Sequence, residues 1–160
     1  DILRDQLRKN NDLSLKLKQS MDSGQLVSDN ILNQIISSRL KEKDCSEGFV
    51  LDGYPRTMSQ AIFINNYINE NNLILNFIFD FYIEEKTIIQ RINNRAIIEN
   101  RADDSEITIK TRILKYNQET KPVSDYYKKE YNSLYYSING NQEIVKLNAE
   151  ILNILEKTLI

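Results

Sequence analysis

The run Gly48-Phe49-Val50-Leu51-Asp52-Gly53-Tyr54-Pro55-Arg56-Thr57 brings together groups suited to phosphate and metal chemistry. Its apolar start predicts a short buried strand over 48–52, and the stretch 59–71 predicts a helix with Ile62, Ile64, Tyr67 and Ile68 apolar. In an open parallel sheet, ligands bind beyond the carboxyl ends of the strands. Asp52 would then stand where a carboxylate can hold magnesium through its water shell. Gly53 lets a ligand approach the backbone, Pro55 stiffens the turn, and together they aim Arg56, whose planar fork suits a phosphate. Asp52-Gly53 could also turn a hairpin, but the helical pattern downstream argues against it. A plain strand–loop–helix corner with a surface Asp and Arg is the alternative, and the residues alone leave the two readings open.

A second set of candidates is cationic. Arg91 and Arg95 lie four apart and share a helix face. Arg101 and Arg112 lie eleven apart, about three helical turns, and would share a face if the helix were continuous. Taken alone, these are ordinary surface charges, paired with Asp103 and Asp104. Gln60 offers an amide with both a donor and an acceptor; a solvated helix position is its other reading.

The elements that must position these residues follow from periodicity and caps. Helices are predicted over 2–9, over 13–23 with Gly24 as its stop, and from a Ser28 cap with Ile31, Ile35, Ile36 and Leu40 on one face. After the 59–71 helix come a strand over 73–83, a helix over 84–93, a polar loop over 94–103 and a helix over 105–120. Pro122 starts a further helix, 133–138 reads as a third strand, Asn139-Gly140 as a turn, and 142–159 as a terminal helix. Strands alternating with helices predict an α/β fold, a parallel sheet flanked by helices in three layers.

Composition narrows the chemistry further. The 160 residues suit one domain, and 21 basic against 23 acidic residues give a net charge of −2, so neither nucleic acid nor an anionic membrane is the expected partner. Histidine is absent, which removes imidazole bases and His metal ligands. The lone Cys45 allows neither an intrachain disulfide nor a cysteine zinc site and suits a reducing, cytoplasmic setting. No apolar run approaches the roughly 20 residues that span a bilayer.

The 48–57 run, followed by Gln60-Ala61, resembles the nucleoside monophosphate kinase motif of adenylate kinases. Asp1-Ile2-Leu3-Arg4 is similar to the start of the family helix that carries an AMP-phosphate arginine, and Ser23-Gly24-Gln25-Leu26-Val27-Ser28-Asp29 to the segment that closes over the AMP nucleoside. The resemblance implies a P-loop-kinase fold with an AMP-covering segment over 1–27, a short lid over 94–104 and a core from the remainder. It implies magnesium-dependent phosphoryl transfer from ATP to AMP giving two ADP, by a monomer with no protein partner. Arg4 and Arg56 would hold the AMP phosphate, with Gly53, Tyr54 and Pro55 beside it. Gln25, Leu26 and Val27 would cover the nucleoside, and Gln60 would bond the adenine edge. Arg91, Arg95, Arg101 and Arg112 would stabilise the transferring phosphoryl group, Arg91 and Arg95 with Gln142 on the ATP side, Arg101 and Arg112 also on the AMP side. Asp52 would hold magnesium. A pyrimidine (UMP or CMP) kinase is the neighbouring alternative, set back by Thr57 and Gln60 because those relatives carry Asn residues after the arginine. A non-catalytic AMP-binding module is the alternative from another class.

The family's glycine-rich phosphate loop has no counterpart here: Gly24, Gly48, Gly53 and Gly140 are isolated, and none precedes Lys-Ser or Lys-Thr. The chain also opens without methionine, inside an amphipathic pattern. The expectation is that the loop and the first strand lie upstream of Asp1, omitted from this sequence; the alternative is a fragment unable to turn over.

Overall fold

Two parallel strands, β1 (Ile78–Tyr82) and β2 (Tyr135–Asn139), form the sheet among the described residues, in register from Ile78 opposite Tyr135 to Tyr82 opposite Asn139. The computed structural model describes residues 2–8, 12–23, 25–99 and 105–158. In chain order the helices are α1 (Ile2–Leu7), α2 (Asp12–Asp22), α3 (Asp29–Leu40), α4 (Met58–Glu70), α5 (Glu85–Glu99), α6 (Glu106–Lys115), α7 (Lys121–Glu130) and α8 (Ile144–Thr158). A π-helical turn, Tyr116–Thr120, joins α6 to α7 without a break. The protein is thus a helix-rich α/β fold on a parallel sheet, as the alternation of patterns predicts.

Three linked clusters carry the core. Leu17, Val27 and Ile35 are buried together with Ile2, Leu3, Leu7, Ile31 and Leu32 against them, which ties α1 and α2 to α3. Ile36, Tyr54 and Ile64 form the second cluster between α3 and α4. Ala61, Val123 and Tyr127 form the third, where α4 and α7 meet Ile78 and Tyr135 of the sheet. Helix α4 belongs to two clusters: Ile64 packs with Ile36 and Tyr54, and Ala61 with Val123 and Tyr127. Leu17 and Ile64 are at most 2% exposed, and each such side chain contributes about 1.5–3 kcal/mol of burial.

Polar groups inside this frame are paired. Asp80 of β1 accepts from Ser124 Oγ of α7 at 2.8 Å and from the Tyr135 hydroxyl of β2 at 2.6 Å. Asn65 of α4 donates to the Tyr126 hydroxyl and accepts from that of Tyr127, both at 3.1 Å. Helix α4 closes on a left-handed Asn72 (φ 53°), with Leu73 N–H bonded to Ile68 O and Asn72 N–H to Asn69 O. This pattern satisfies the last carbonyls, with Asn taking the place glycine usually fills.

Three expectations change. The run 48–52 forms no strand and pairs with none among the described residues, and Val50 is 93% exposed. A strand needs a ladder partner, and none of the described segments supplies one. The strand predicted over 73–83 is restricted to Ile78–Tyr82 for the same reason, since β2 offers five residues. Helix α5 continues to Glu99 instead of ending near 93. No Gly or Pro interrupts 84–99, so nothing stops the propagating hydrogen bonds, although Ile97 and Ile98 are both 82% exposed. Pro122 begins α7 as expected. Ser28 sits at the N-cap of α3 but makes no side-chain cap bond.

Packing raises the acidity constants of several phenols. Burial pushes Tyr54 and Tyr127 well up, and burial with the Asp80 bond pushes Tyr135 up to about 12. A phenol whose folded value exceeds its unfolded value of about 10 stabilises the fold below pH 10, and loses that contribution as pH rises toward the folded value. Denaturant midpoints should therefore hold steady to about pH 10 and fall above it. Ultraviolet titration should show a subset of the nine tyrosines ionising late, and Tyr135→Phe should shrink that subset.

Candidate active site

The loop between residue 52 and α4 is built around Arg56. Its main-chain N–H donates to Gln60 Oε1 at 2.7 Å, and its carbonyl accepts from Thr120 Oγ1 at 3.0 Å. Its side chain folds back so that Nε donates to Gly53 O at 2.7 Å. Gly53 has φ +67°, which favours glycine, and a Cβ there would lie 2.6 Å from Arg56 Nη2, so any other residue would also push the guanidinium aside. The Tyr54–Pro55 peptide bond is cis. The Arg56 guanidinium still meets solvent, but crowding by protein pushes its pKa down; Asp52 opposes that shift and Arg112 adds to it. Those influences bring Asp52, Arg56 and Arg112 into one electrostatic neighbourhood.

Thr57 starts α4 as its N-cap, with Oγ1 accepting from Gln60 N at 3.2 Å. Thr57-Met58-Ser59-Gln60 has the sequence of a capping box, in which the fourth side chain reaches back to the cap's own N–H. Here it reaches one residue further, to Arg56. Gln60 is fully buried, and its Nε2 donates to Asp29 Oδ1 at 2.7 Å. Asp29 Oδ2 in turn accepts from Thr57 Oγ1 at 2.9 Å.

A cavity of about 410 Å³ opens beside this network. Gln25, Leu26, Val27, Ser28 and Asp29 form one wall, Thr57, Met58 and Ser59 a second, and Lys115 and Glu119 a third. Val27 is buried, Leu26 half-buried and Gln25 exposed. The volume falls within the range of small-ligand sites, and the walls mix apolar surface with hydroxyl, carboxylate and ammonium groups. Tyr54 lies behind the loop, its hydroxyl donating to Asn33 Oδ1 at 2.6 Å.

A second group forms where α5 approaches the turn before α8. Arg91 Nη2 donates to Gln142 O at 3.3 Å, and Gln142 Nε2 donates to Glu150 Oε2 at 2.5 Å. Gly140 shapes this corner: its N–H bonds Tyr82 O at 2.9 Å, and a Cβ there would run into Ile83. Arg95 lies one turn beyond Arg91 on α5. Arg4 lies on α1. Arg101, Asp103 and Asp104 fall outside the described residues.

Among the described residues no cluster of three or more His, Cys, Asp or Glu could cage a metal. Asp52 is a single exposed carboxylate at the loop entrance. That donor set fits magnesium, which keeps most of its waters and takes one or two carboxylates together with nucleotide phosphates. Sequence reasoning placed Asp29 only within the nucleoside-covering segment and gave no site role to Lys115, Glu119 or Thr120. The capping-box spacing of Thr57 and Gln60 was the available sign that this amide serves the backbone.

A protein-family model described as adenylate kinase matches residues 1–132. An adenylate kinase of Thermotoga neapolitana is 34% identical over 183 aligned positions, covering 97% of this chain and 82% of the relative. One from Leptospira biflexa is 36% identical over 152 positions, covering 95% and 81%, and one from Sinorhizobium medicae is 33% identical over 162, covering 97% and 83%. The Thermotoga alignment is longer than the 160 residues of this chain, so that relative carries insertions this chain lacks. A family match over residues 1–132, with relatives 33–36% identical along nearly the whole chain, has one meaning: the chain belongs to the adenylate kinase family of phosphotransferases.

Proposed function

We propose that this protein transfers the terminal phosphoryl group of ATP to AMP, with magnesium, giving two ADP. The observation that carries the reading is the cavity walled by residues 25–29 and 57–59, which adjoins the loop holding Arg56. It is large enough for a nucleoside, and Arg56, next in the chain to Thr57 of the cavity wall, would turn its guanidinium from Gly53 O to take the phosphate. Gln25, Leu26 and Val27 would cover the nucleoside, with Gly53, Tyr54 and Pro55 supporting the phosphate end. Gln60 is fully buried and lies behind the cavity wall, so it would meet the adenine edge only if that wall opened, and then only with the N–H and lone pair left over from its two internal bonds.

Phosphoryl transfer asks a protein chiefly for alignment and for positive charge around the equatorial oxygens. Arg56 and Arg112 would supply that charge from the AMP side, with Arg4 and Arg101. Arg91 and Arg95 would supply it from the ATP side, beside Gln142 and its bond to Arg91. Asp52 would hold magnesium through water, and the ion when bound would offset charge on the phosphates. The segment over 1–27 would act as the AMP cover and 94–104 as a short lid. We place the enzyme in the cytoplasm as a monomer; no helix among the described residues is long and apolar enough to cross a membrane.

ADP formation from ATP and magnesium, with AMP, CMP or UMP offered separately, tests the reading. Turnover with AMP alone is expected; preference for CMP or UMP would make this a pyrimidine kinase, and no turnover with any acceptor would leave a binding module. Arg56→Ala should lower kcat/KM for AMP by about 10²–10³. The same change should cost less than about 1 kcal/mol of stability, because Gln60 and Thr120 hold the main chain of residue 56, which alanine retains. Gly53→Ala should do the reverse in part. Its left-handed φ costs about 1–2 kcal/mol with a Cβ, seen as a lower melting temperature, and the displaced guanidinium should raise the KM for AMP.

A further inference from the structure

Asp29 is the first residue of α3, where a carboxylate ordinarily serves the helix N-terminus. Here both of its oxygens turn away to partners remote in sequence: Oδ2 to the hydroxyl of Thr57 and Oδ1 to the amide of Gln60. The Gln60 amide then carries the connection to the N–H of Arg56. The orientation of that amide is doubly determined. A carboxylate only accepts, so Nε2 must face Asp29; a main-chain N–H only donates, so Oε1 must face Arg56. Gln60 is fully buried and Asp29 lines the cavity, so the relay runs from the cavity wall through protein to the arginine. The raised phenol of Tyr54, which owes part of its shift to Asp29, sets the same carboxylate beside this loop.

We propose that Asp29 is a positioning residue for the acceptor nucleotide: it locks Gln60, and through Gln60 it holds the backbone of Arg56 where the phosphate is taken. The proposal rests on the AMP reading of the cavity. A carboxylate that only supported α3 would be tied to its own first turn; this one spans from the 25–29 wall to the arginine loop. Its influence therefore falls on one substrate and not the other.

The test is a set of steady-state measurements on wild type, Asp29→Ala and Asp29→Asn, varying AMP and ATP separately. Loss of the carboxylate should raise the KM for AMP by about tenfold, with the KM for ATP within about twofold of wild type. Asp29→Asn keeps an oxygen for Gln60 and should fall between the two. An unchanged KM for AMP in folded Asp29→Ala, or equal rises for both nucleotides, would overturn the proposal. Should the alanine variant fail to fold, the near-isosteric asparagine variant decides on the same criteria. Hydrogen exchange of the Gln60 side-chain amide, followed by nuclear magnetic resonance, reads the lock without turnover. Slow exchange in wild type that quickens in the variants supports it, and equal exchange refutes it. A wild type that ignores AMP but shows that change in exchange would sink the AMP reading and leave only a structural tie, which overturns the positioning role.

Discussion

Among the described residues, Arg56 is held by its peptide groups and not by an anion. Gln60 takes its N–H, Thr120 takes its carbonyl, and the side chain spends one N–H on Gly53 O. The distinction matters for a residue meant to meet phosphate. An arginine fixed by a carboxylate gains order at the expense of the charge it offers, and separating that pair later exposes an uncompensated ion. Two neutral main-chain bonds give order without that neutralisation. The remaining guanidinium stays crowded, near Arg112, and so costs some free energy that an incoming anion would relieve.

The three core clusters serve this arrangement in sequence. The first fixes Val27 and thereby the wall over the cavity; the second fixes Tyr54 and the loop; the third fixes α4 and α7 on the sheet, and with α7 the π turn that carries Thr120. Helix α4 lies in two of the three and contributes Thr57 and Gln60 at its first turn. A perturbation of Ala61 or Ile64 would thus reach the arginine through the helix, without touching the loop itself.

Much of this was legible in the sequence, and the parts that were not have physical reasons. Patterns of 3.6 residues located every long helix, and the 48–57 run pointed to the loop. Periodicity is silent about partners, however. The apolar run 48–51 looks the same whether a neighbouring strand pairs with it or Val50 stands in water. The end of α5 was misjudged because the polar residues scattered over 94–103 suggested a loop, while helix continuation past Ala96, Ile97 and Ile98 needs only the absence of a breaker. Gln60 shows the opposite case. It was read as an adenine contact or a solvated position, and its capping-box spacing from Thr57 went unused; the folded chain shows that the amide reaches Arg56 and is met from behind by Asp29, 31 residues earlier.

The rod from Glu106 to Glu130 holds one more consequence. Its π turn at Tyr116–Thr120 is wider than an α turn by about one residue. Each residue of an α-helix advances the azimuth by about 100°. Deleting a single residue there would restore a uniform helix and swing everything beyond it by roughly that angle. Val123 and Tyr127 would leave the core together, and Thr120 would leave the arginine loop. The turn therefore acts as a phase setter: it lets one unbroken helical run bring Thr120 to the loop while its far half stays in step with the sheet.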